Sequence, residues 1–358
     1  MELTHARFLN FRNISFCDLD LTGQSHFMLA SNGQGKSSCL EAIGFISALR
    51  SFRTQSTRSL FKKETEEFRL FYQIKHEMLG ESKVELQIST NKKILLIDGE
   101  VIKRLGDFIG LFPVVPMHSA DMMILNGTPT ERRRFFDMTL ASIDPDYFSA
   151  LRHYHRTLLE RNKTLKITTN QKTIEAFEIE LSKYAFQLVK KRSHRVVEIE
   201  KILKRVYKSF SHEKESPELV YKSDNSLSSE EAYRSFYAES RERDRIMGAT
   251  QRGPHRDDYK FSLAIGGAKE YGSDGQQRGL CVALRLAQAE LFQKILGVNP
   301  ILLVDDILGE LDPKRKESFW EFCPKEFQVI ASGTEFSVGG KNRDWSIWNV
   351  SDGSFNKT

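Results

Sequence analysis

The sequence predicts an α/β fold of mixed sheets that carries a phosphate-binding loop and is interrupted by a mainly helical arm. Three observations point there. Residues 26–46, HFMLASNGQGKSSCLEAIGFI, set a short apolar run before a glycine-bearing loop, Lys-Ser-Ser, and apolar residues at helical spacing. Late in the chain, residues 300–306 read Pro-ILLV-Asp-Asp, the way a buried parallel strand carries an acid at its carboxyl end. Between the two, from Thr128 onward, the apolar period becomes helical over long stretches.

Taken in order, residues 3–8 and 14–21 form two strands, the second alternating Phe16, Asp18, Asp20 against Cys17, Leu19, Leu21. Phe27, Met28 and Leu29 are the buried strand before the loop, and Leu40, Ile43 and Ile46 the core face of the helix after it. In the loop, Gly33 and Gly35 let successive N–H groups converge on an anion, and the helix N-terminus adds its positive end. Lys36 then reaches terminal phosphates, and the Ser37 hydroxyl completes the shell of a bridging Mg²⁺. The first glycine of the G-x-x-x-x-G-K-[ST] pattern is replaced by Ala30, so the loop turns there without glycine freedom. The remaining loop positions, Ser31, Asn32, Gln34 and Ser38, complete the cradle. Strands follow at 68–74, 84–88 and 94–97, the last closed by the Asp98-Gly99 turn.

The arm opens with helical pattern. Asp144-Pro145 caps a helix whose face is Tyr147, Leu151, Tyr154 and Leu158. A second stripe runs through Ile174, Phe177, Leu181, Tyr184 and Leu188, breaks at Lys190-Lys191-Arg192, and resumes at Ile199, Ile202 and Val206. Nine Lys or Arg against two Glu between residues 183 and 208 mark a surface for a phosphate backbone, the alternative being a solvated helix face. Residues 211–245 read as loop with one short helix. Strand character returns at 259–265, and a polar loop with Gly272, Ser273 and Gly275 opens a helix whose apolar face is Leu280, Leu284, Ala287, Leu291 and Ile295. The last strand is placed at 328–330. The domain reading is therefore a nucleotide-binding head of residues 1–126 and 247–358 around an arm of residues 127–246.

Composition bounds the function classes. With 40% apolar and 28% charged residues in 358, the chain reads as globular, and no apolar run approaches the roughly 18 residues of a spanning helix. The first residues lack the pattern of a secretory signal, which predicts a cytoplasmic protein. Cys17, Cys39, Cys281 and Cys323 lack C-x-x-C spacing, which argues against a disulfide framework or zinc site and for small core residues. The net charge of +5 is mild.

Together the early loop and the late acids define a nucleotide site. Lys36 and Ser37 hold phosphates and metal, Asp305 holds the ion through water, and Asp306 orients or deprotonates an attacking water. The motif set is FRNISF, SNGQGKSSCLEAI, SFRT, GTPTERRRFFD, YHRTLLERNKTLK, GPHRDD, SDGQQR and ILLVDDILGELD. In this order it resembles the ABC-type ATPase heads of the SMC kind, and more closely the RecF family of bacterial recombination proteins. The interval from Lys36 to Gly275 leaves room for the inserted arm.

The resemblance implies that the SDGQQR loop, through Ser273, Gly275 and Gln276, meets the γ-phosphate of ATP on a second subunit, so that ATP closes a head-to-head homodimer. Asp312 would lie in the loop that crosses that interface. The sequence departs from the pattern at Asp274, where Gln is expected, at Gly309, where Ser is usual, and at residues 332–334, where transporter ATPases place a switch histidine. The missing histidine and the short Asp306 fit slow hydrolysis; an acid at 274 beside an incoming phosphate adds repulsion. The implied activity is ATP-gated binding of DNA near single-strand gaps, with RecO and RecR mediators and placement of the RecA recombinase. Two other classes stand beside it. An SMC-like structural protein with little turnover needs a longer arm, and a transporter subunit needs a membrane partner. Arg132, Arg133 and Arg134 suit either phosphate or salt bridges, and His255 with Asp257 and Asp258 suits a structural role better than a metal site.

Overall fold

The computed structural model describes residues 1–167, 170–210, 216–306, 313–336 and 343–358. Alternating apolar residues build a first sheet from β1 (Glu2–Phe11) and β2 (Ile14–Asp20). The chain then enters a second sheet through β3 (Ser25–Leu29) and turns into α1 (Lys36–Ala48). It returns to the first sheet as β4 (Glu67–His76), β5 (Gly80–Ser89), β6 (Lys93–Ile97) and β7 (Glu100–Val101), and reaches the second again at β8 (Val114–His118). Helices α2 (Met122–Asn126), α3 (Pro129–Ile143), α4 (Pro145–Ile167) and α5 (Gln171–Phe210) follow, then β9 (Glu218–Lys222), α6 (Glu230–Met247), β10 (Asp258–Leu263) and β11 (Gly266–Gly267). The rest is α7 (Ala268–Tyr271), α8 (Asp274–Leu296), β12 (Ile301–Asp305), α9 (Pro313–Phe322), β13 (Val329–Gly333), β14 (Ser346–Ser351) and β15 (Ser354–Lys357).

The chain divides into two compact units. The first is Met1–Met122, Arg205–Glu215 and Ser273–Thr358, the second Met123–Lys204 and Ser216–Gly272. These bounds differ from the expected ones in three places, the shortest being residues 123–126, which fall in the second unit. Residues 247–272 fall in the second unit because the strand expected at 259–265 is β10, which pairs with β9 and β11 in a small antiparallel sheet there. Residues 205–215 fall in the first, where Tyr207 lies against Gly279 of α8.

In the first unit the sheet β2-β1-β4-β5-β6-β7 is antiparallel. The sheet β15-β14-β3-β13-β12-β8 is parallel from β14 to β8. α1 packs on β8, β12 and β13 and on β1 of the other sheet, with Leu40 and Ile43 fully buried. A buried glutamine ties the sheets together. Gln328 accepts the Leu3 N–H at 2.8 Å and donates to the carbonyls of Leu3, Leu21 and Gly23 at 2.9, 2.9 and 3.0 Å. The four cysteines are free and buried.

Four expectations change. The break at residues 190–192 is absent, and α5 runs unbroken for 40 residues, because Arg192 is buried and ion-paired rather than exposed. Residues 211–245 hold, within their described part, β9 and all but the last two residues of α6; only Tyr233, Tyr237 and Asp244 of α6 are buried, too few to show as a stripe. β8 went unread because Pro116 sits inside it, which the sheet accommodates at its edge. The strand at 328–330 is not the last, since the β14–β15 hairpin follows and buries Trp348 and Val350. No helix among the described residues is long and apolar enough to cross a membrane.

Candidate nucleotide-binding site

The loop between β3 and α1 bends where the sequence supplies glycine. Gly33 has φ +84° and Gly35, the N-cap of α1, φ +113°. The φ disfavours a side chain at Gly35, and a Cβ there would crowd the Asn13 side-chain amide at 3.0 Å. Ala30 needs no glycine freedom. It is outside the left-handed region, and its N–H donates to the Gly333 carbonyl at 3.3 Å.

Lys36 is only 4% exposed, yet its Nζ has no carboxylate partner among the described residues. It donates to the carbonyls of Ala30 at 2.5 Å and Ser31 at 3.1 Å. An ammonium neutralised by nothing but carbonyl dipoles, at the N-terminus of a helix, favours an arriving anion. Beside it, Ser37 Oγ donates to Asp305 Oδ1 at 2.7 Å, and Ser332 Oγ donates to the same oxygen at 2.8 Å. Parallel pairing explains the meeting: Asp305 ends β12 opposite Ser332 on β13 and His118 on β8. Burial lowers the His118 pKa; its Nε2 lies 3.3 Å from Asp121 and its ring against Phe52.

A cleft of about 450 Å³ opens over the loop, lined by residues 32–38 together with Arg12, Arg53, Phe61 and Asp306. Asp306 turns through φ +56°, leaving the buried strand for the cleft, while Asp305 stays 7% exposed beneath. Under the loop helix lies Glu41, fully buried and held by Arg12 at 2.6 and 2.7 Å and by the Ser51 hydroxyl, with Arg53 3.9 Å away. The FRNISF and SFRT motifs thus meet on one carboxylate. Sequence reasoning gave Arg12, Glu41, Arg53, His118 and Ser332 no role at the site. The available signal was Glu41, a charge among the buried apolar positions of a helix, which requires a partner.

The signature residues stand apart from this cleft. Ser273 N-caps α8, accepting the Gln276 N–H at 3.3 Å while Gln276 Oε1 accepts the Ser273 N–H at 2.8 Å. The Arg315 guanidinium covers Gly275, where a Cβ would come within 2.3 Å of it. Ser273, Gly275 and Gln276 do not line the cleft. Gly309 and Asp312 lie outside the described residues.

No family model matches the chain. The DNA replication and repair protein RecF of Exiguobacterium sp. is 32% identical over 345 residues, covering 93% of this chain and 92% of that protein. RecF of Crocosphaera subtropica is 30% identical over 357 residues, covering 93% of each. The chain belongs to the RecF family. Two solved structures of the recombination mediator protein RecF in the RecFOR pathway, RecF-ATP and RecF-ATPrS, match it with TM-scores of 0.92 and 0.90 at 27% and 28% identity. They cover 100% and 99% of this chain, and the match spans 97% of each of theirs. An SMC head bound to the C-winged helix domain of ScpA shares the fold, with TM-score 0.58 at 13% identity over 100% of this chain and 97% of that one. The fold is an ABC-type ATPase head with mixed sheets and a helical arm.

In this RecF-family chain the remaining motifs are internal to the second unit. Arg132 grips Asp258 at 2.6 and 3.0 Å, and Arg133 donates to the Asp257 carbonyl at 2.7 Å. Arg134 makes no hydrogen bond or ion pair among the described residues. His255 lies 2.7 Å from the Tyr154 hydroxyl and 3.1 Å from the Thr250 carbonyl, and burial pushes its pKa down to about 4. Asp257 is held by Arg192 at 2.8 Å and by Tyr221, and among the described residues no cluster of His, Cys, Asp and Glu fits a metal. The basic face of α5 is thinner than its charge count suggests. Arg192 is buried, and Lys191, Arg195 and Lys204 pair with Asp144, Glu198 and Glu200 at 2.6, 2.7 and 2.8 Å. Arg205, which belongs to the first unit, pairs there with Glu290. Lys183 and Lys190 stay exposed over the rings of Tyr184 and Phe186.

Proposed function

We propose that the chain is an ATP-dependent DNA-binding protein of recombinational repair and replication. The observation that carries this is the buried Lys36 ammonium, which faces carbonyl oxygens alone at the start of α1. ATP phosphates replace those weak partners with full negative charge and take the N–H groups of Gly33 to Ser38. The Ser37 hydroxyl and Asp305 carboxylate are hard oxygen donors already within 2.7 Å of each other, the donor set that suits Mg²⁺. Mg²⁺ held by these two oxygens would neutralise phosphate charge. Ser332 keeps Asp305 oriented. Asp306, on its bend into the cleft, orients the attacking water and takes its proton. A carboxylate shorter than Glu makes that step slow.

Ser273, Gly275 and Gln276 open an exposed helix N-terminus outside the cleft of their own chain, which supports a role at the γ-phosphate of ATP held by a second copy. ATP then closes a head-to-head homodimer, with Asp312 at the interface. The second unit holds twenty-five Lys and Arg against twenty Asp and Glu, so the whole net charge of +5 resides there, which supports DNA contact by the arm. The dimer binds near single-strand gaps in the cytoplasm and works with RecO and RecR in placing RecA; relatives described as part of the RecFOR pathway support this.

Steady-state ATP hydrolysis with and without gapped duplex DNA, with light scattering, tests the reading. Slow turnover stimulated by DNA and an ATP-dependent doubling of mass are expected. In Lys36→Ala both vanish, with turnover down about 10²–10³-fold. No response to DNA overturns the repair reading, and dimerisation with no turnover reduces it to a nucleotide-gated scaffold.

A further inference from the structure

We infer that the Asp352-Gly353 turn between β14 and β15 is a latch that positions the phosphate loop for its anion. The inference rests on the nucleotide reading of that loop. Gln34 sits between Gly33 and Gly35, both with left-handed backbone, and a segment flanked by two glycines is free to rotate unless something fixes it. The terminal hairpin fixes it. The Gly353 N–H donates to the Gln34 carbonyl at 2.9 Å, and the Asp352 N–H donates to the Gln34 side-chain Oε1 at 2.8 Å. Both donors are available because Asp352 and Gly353 have φ +46° and +77°, a tight Asp-Gly hairpin turn with its N–H groups turned outward.

The consequence for the cleft follows from peptide geometry. A planar trans peptide puts the Gln34 carbonyl and the Gly35 N–H on opposite sides. Holding that carbonyl toward the hairpin therefore aims the Gly35 N–H the other way, and Gly35 lines the cleft. The fit leaves little room for other arrangements. A Cβ on Gly353 would lie 3.0 Å from the Asn13 carbonyl oxygen and 3.4 Å from the Ile14 Cα, and one on Gly35 would lie 3.4 Å from the Gly353 Cα. Three turns meet here: β1–β2, the phosphate loop and β14–β15. Because β14 also pairs in parallel with β3, with Asn349 opposite Leu29, the strand that delivers the loop and the hairpin that latches it share one ladder.

The test uses the full chain with Gly353→Val, which brings a side chain into the three-turn contact, and Gln34→Leu, which removes one acceptor without straining the backbone. Binding of the fluorescent nucleotide mant-ATP is measured, together with amide hydrogen exchange of residues 33–36 in nucleotide-free protein. Faster exchange in both variants and about tenfold weaker mant-ATP binding are expected. A purely structural hairpin would lower the melting temperature and leave loop exchange in Gln34→Leu unchanged. Unchanged exchange in Gln34→Leu overturns the latch, as does faster exchange with unchanged affinity. Failure of the unaltered chain to bind mant-ATP overturns the nucleotide reading instead, and loop exchange then decides the latch alone.

Discussion

The two units use buried cations in opposite ways. In the second, Arg161 and Arg192 are fully buried and each faces two carboxylates: Arg161 has Asp244 at 2.7 Å and Glu178 at 2.9 Å, and Arg192 has Asp137 and Asp257, both at 2.8 Å. In the first, Lys36 is equally hidden and faces two carbonyls. A cation with two carboxylates has no attraction left for a ligand, whereas one with dipoles alone does. Recognisable motifs supply both arrangements, so a motif by itself does not separate scaffold from site. The degree of neutralisation does.

The contrast can be broken most forcefully at Arg192. Arg192→Leu leaves the buried Asp257 and the half-buried Asp137 without their partner and is expected to destabilise the protein by about 3–5 kcal/mol in urea titration. Lys36→Ala, by comparison, is expected to shift stability by less than about 1 kcal/mol while abolishing turnover. If Arg192→Leu instead weakened mant-ATP binding at unchanged stability, the division between scaffold and site would fall.

A pH titration sharpens the scaffold side. The folded pKa of His255, about 4, lies below its ordinary 6.5. Between those values the unfolded chain takes up a proton that the folded chain refuses, so stability present above pH 6.5 is lost as pH falls to 4. About 2 kcal/mol is expected from this residue after allowing for partial exposure. Burial lowers the pKa of His26 and His118 in the same direction. His255→Gln should flatten the midpoint-against-pH curve in this window; an unaltered curve would mean that the site tolerates the imidazolium.

The smallest effects are expected on the surface of α5. Lys183→Ala and Lys190→Ala should each lower the salt slope of DNA binding by about one and change stability by less than about 0.5 kcal/mol. A slope that stays put would move the DNA contact to another face.

The phosphate loop was legible because its parts are consecutive: strand, turn and helix are fixed by local pattern, and all five residues of β12 are buried as an unbroken apolar run implies. What the pattern hid depends on distant partners. The Lys-Lys-Arg in α5 looks like an interruption because Arg192 finds its carboxylates 55 and 65 positions away. The gathering of Arg12, Ser51 and Arg53 on Glu41 is likewise tertiary, as is the approach of the terminal hairpin to Gln34. The strands of that hairpin are short and carry few apolar residues, which left nothing periodic to read.

Gln328 also sets a timetable for biosynthesis. Its bonds to Leu3 join residues 325 positions apart, so they cannot form until residue 328 has been made. At roughly 5–20 residues per second the first strand waits about 15–65 s on the ribosome for this partner. The second unit, encoded entirely between residues 123 and 272, is synthesised well before then. The cleft over the β3–α1 loop draws on residues from Arg12 to Asp306, so it is complete only after the second unit has been synthesised.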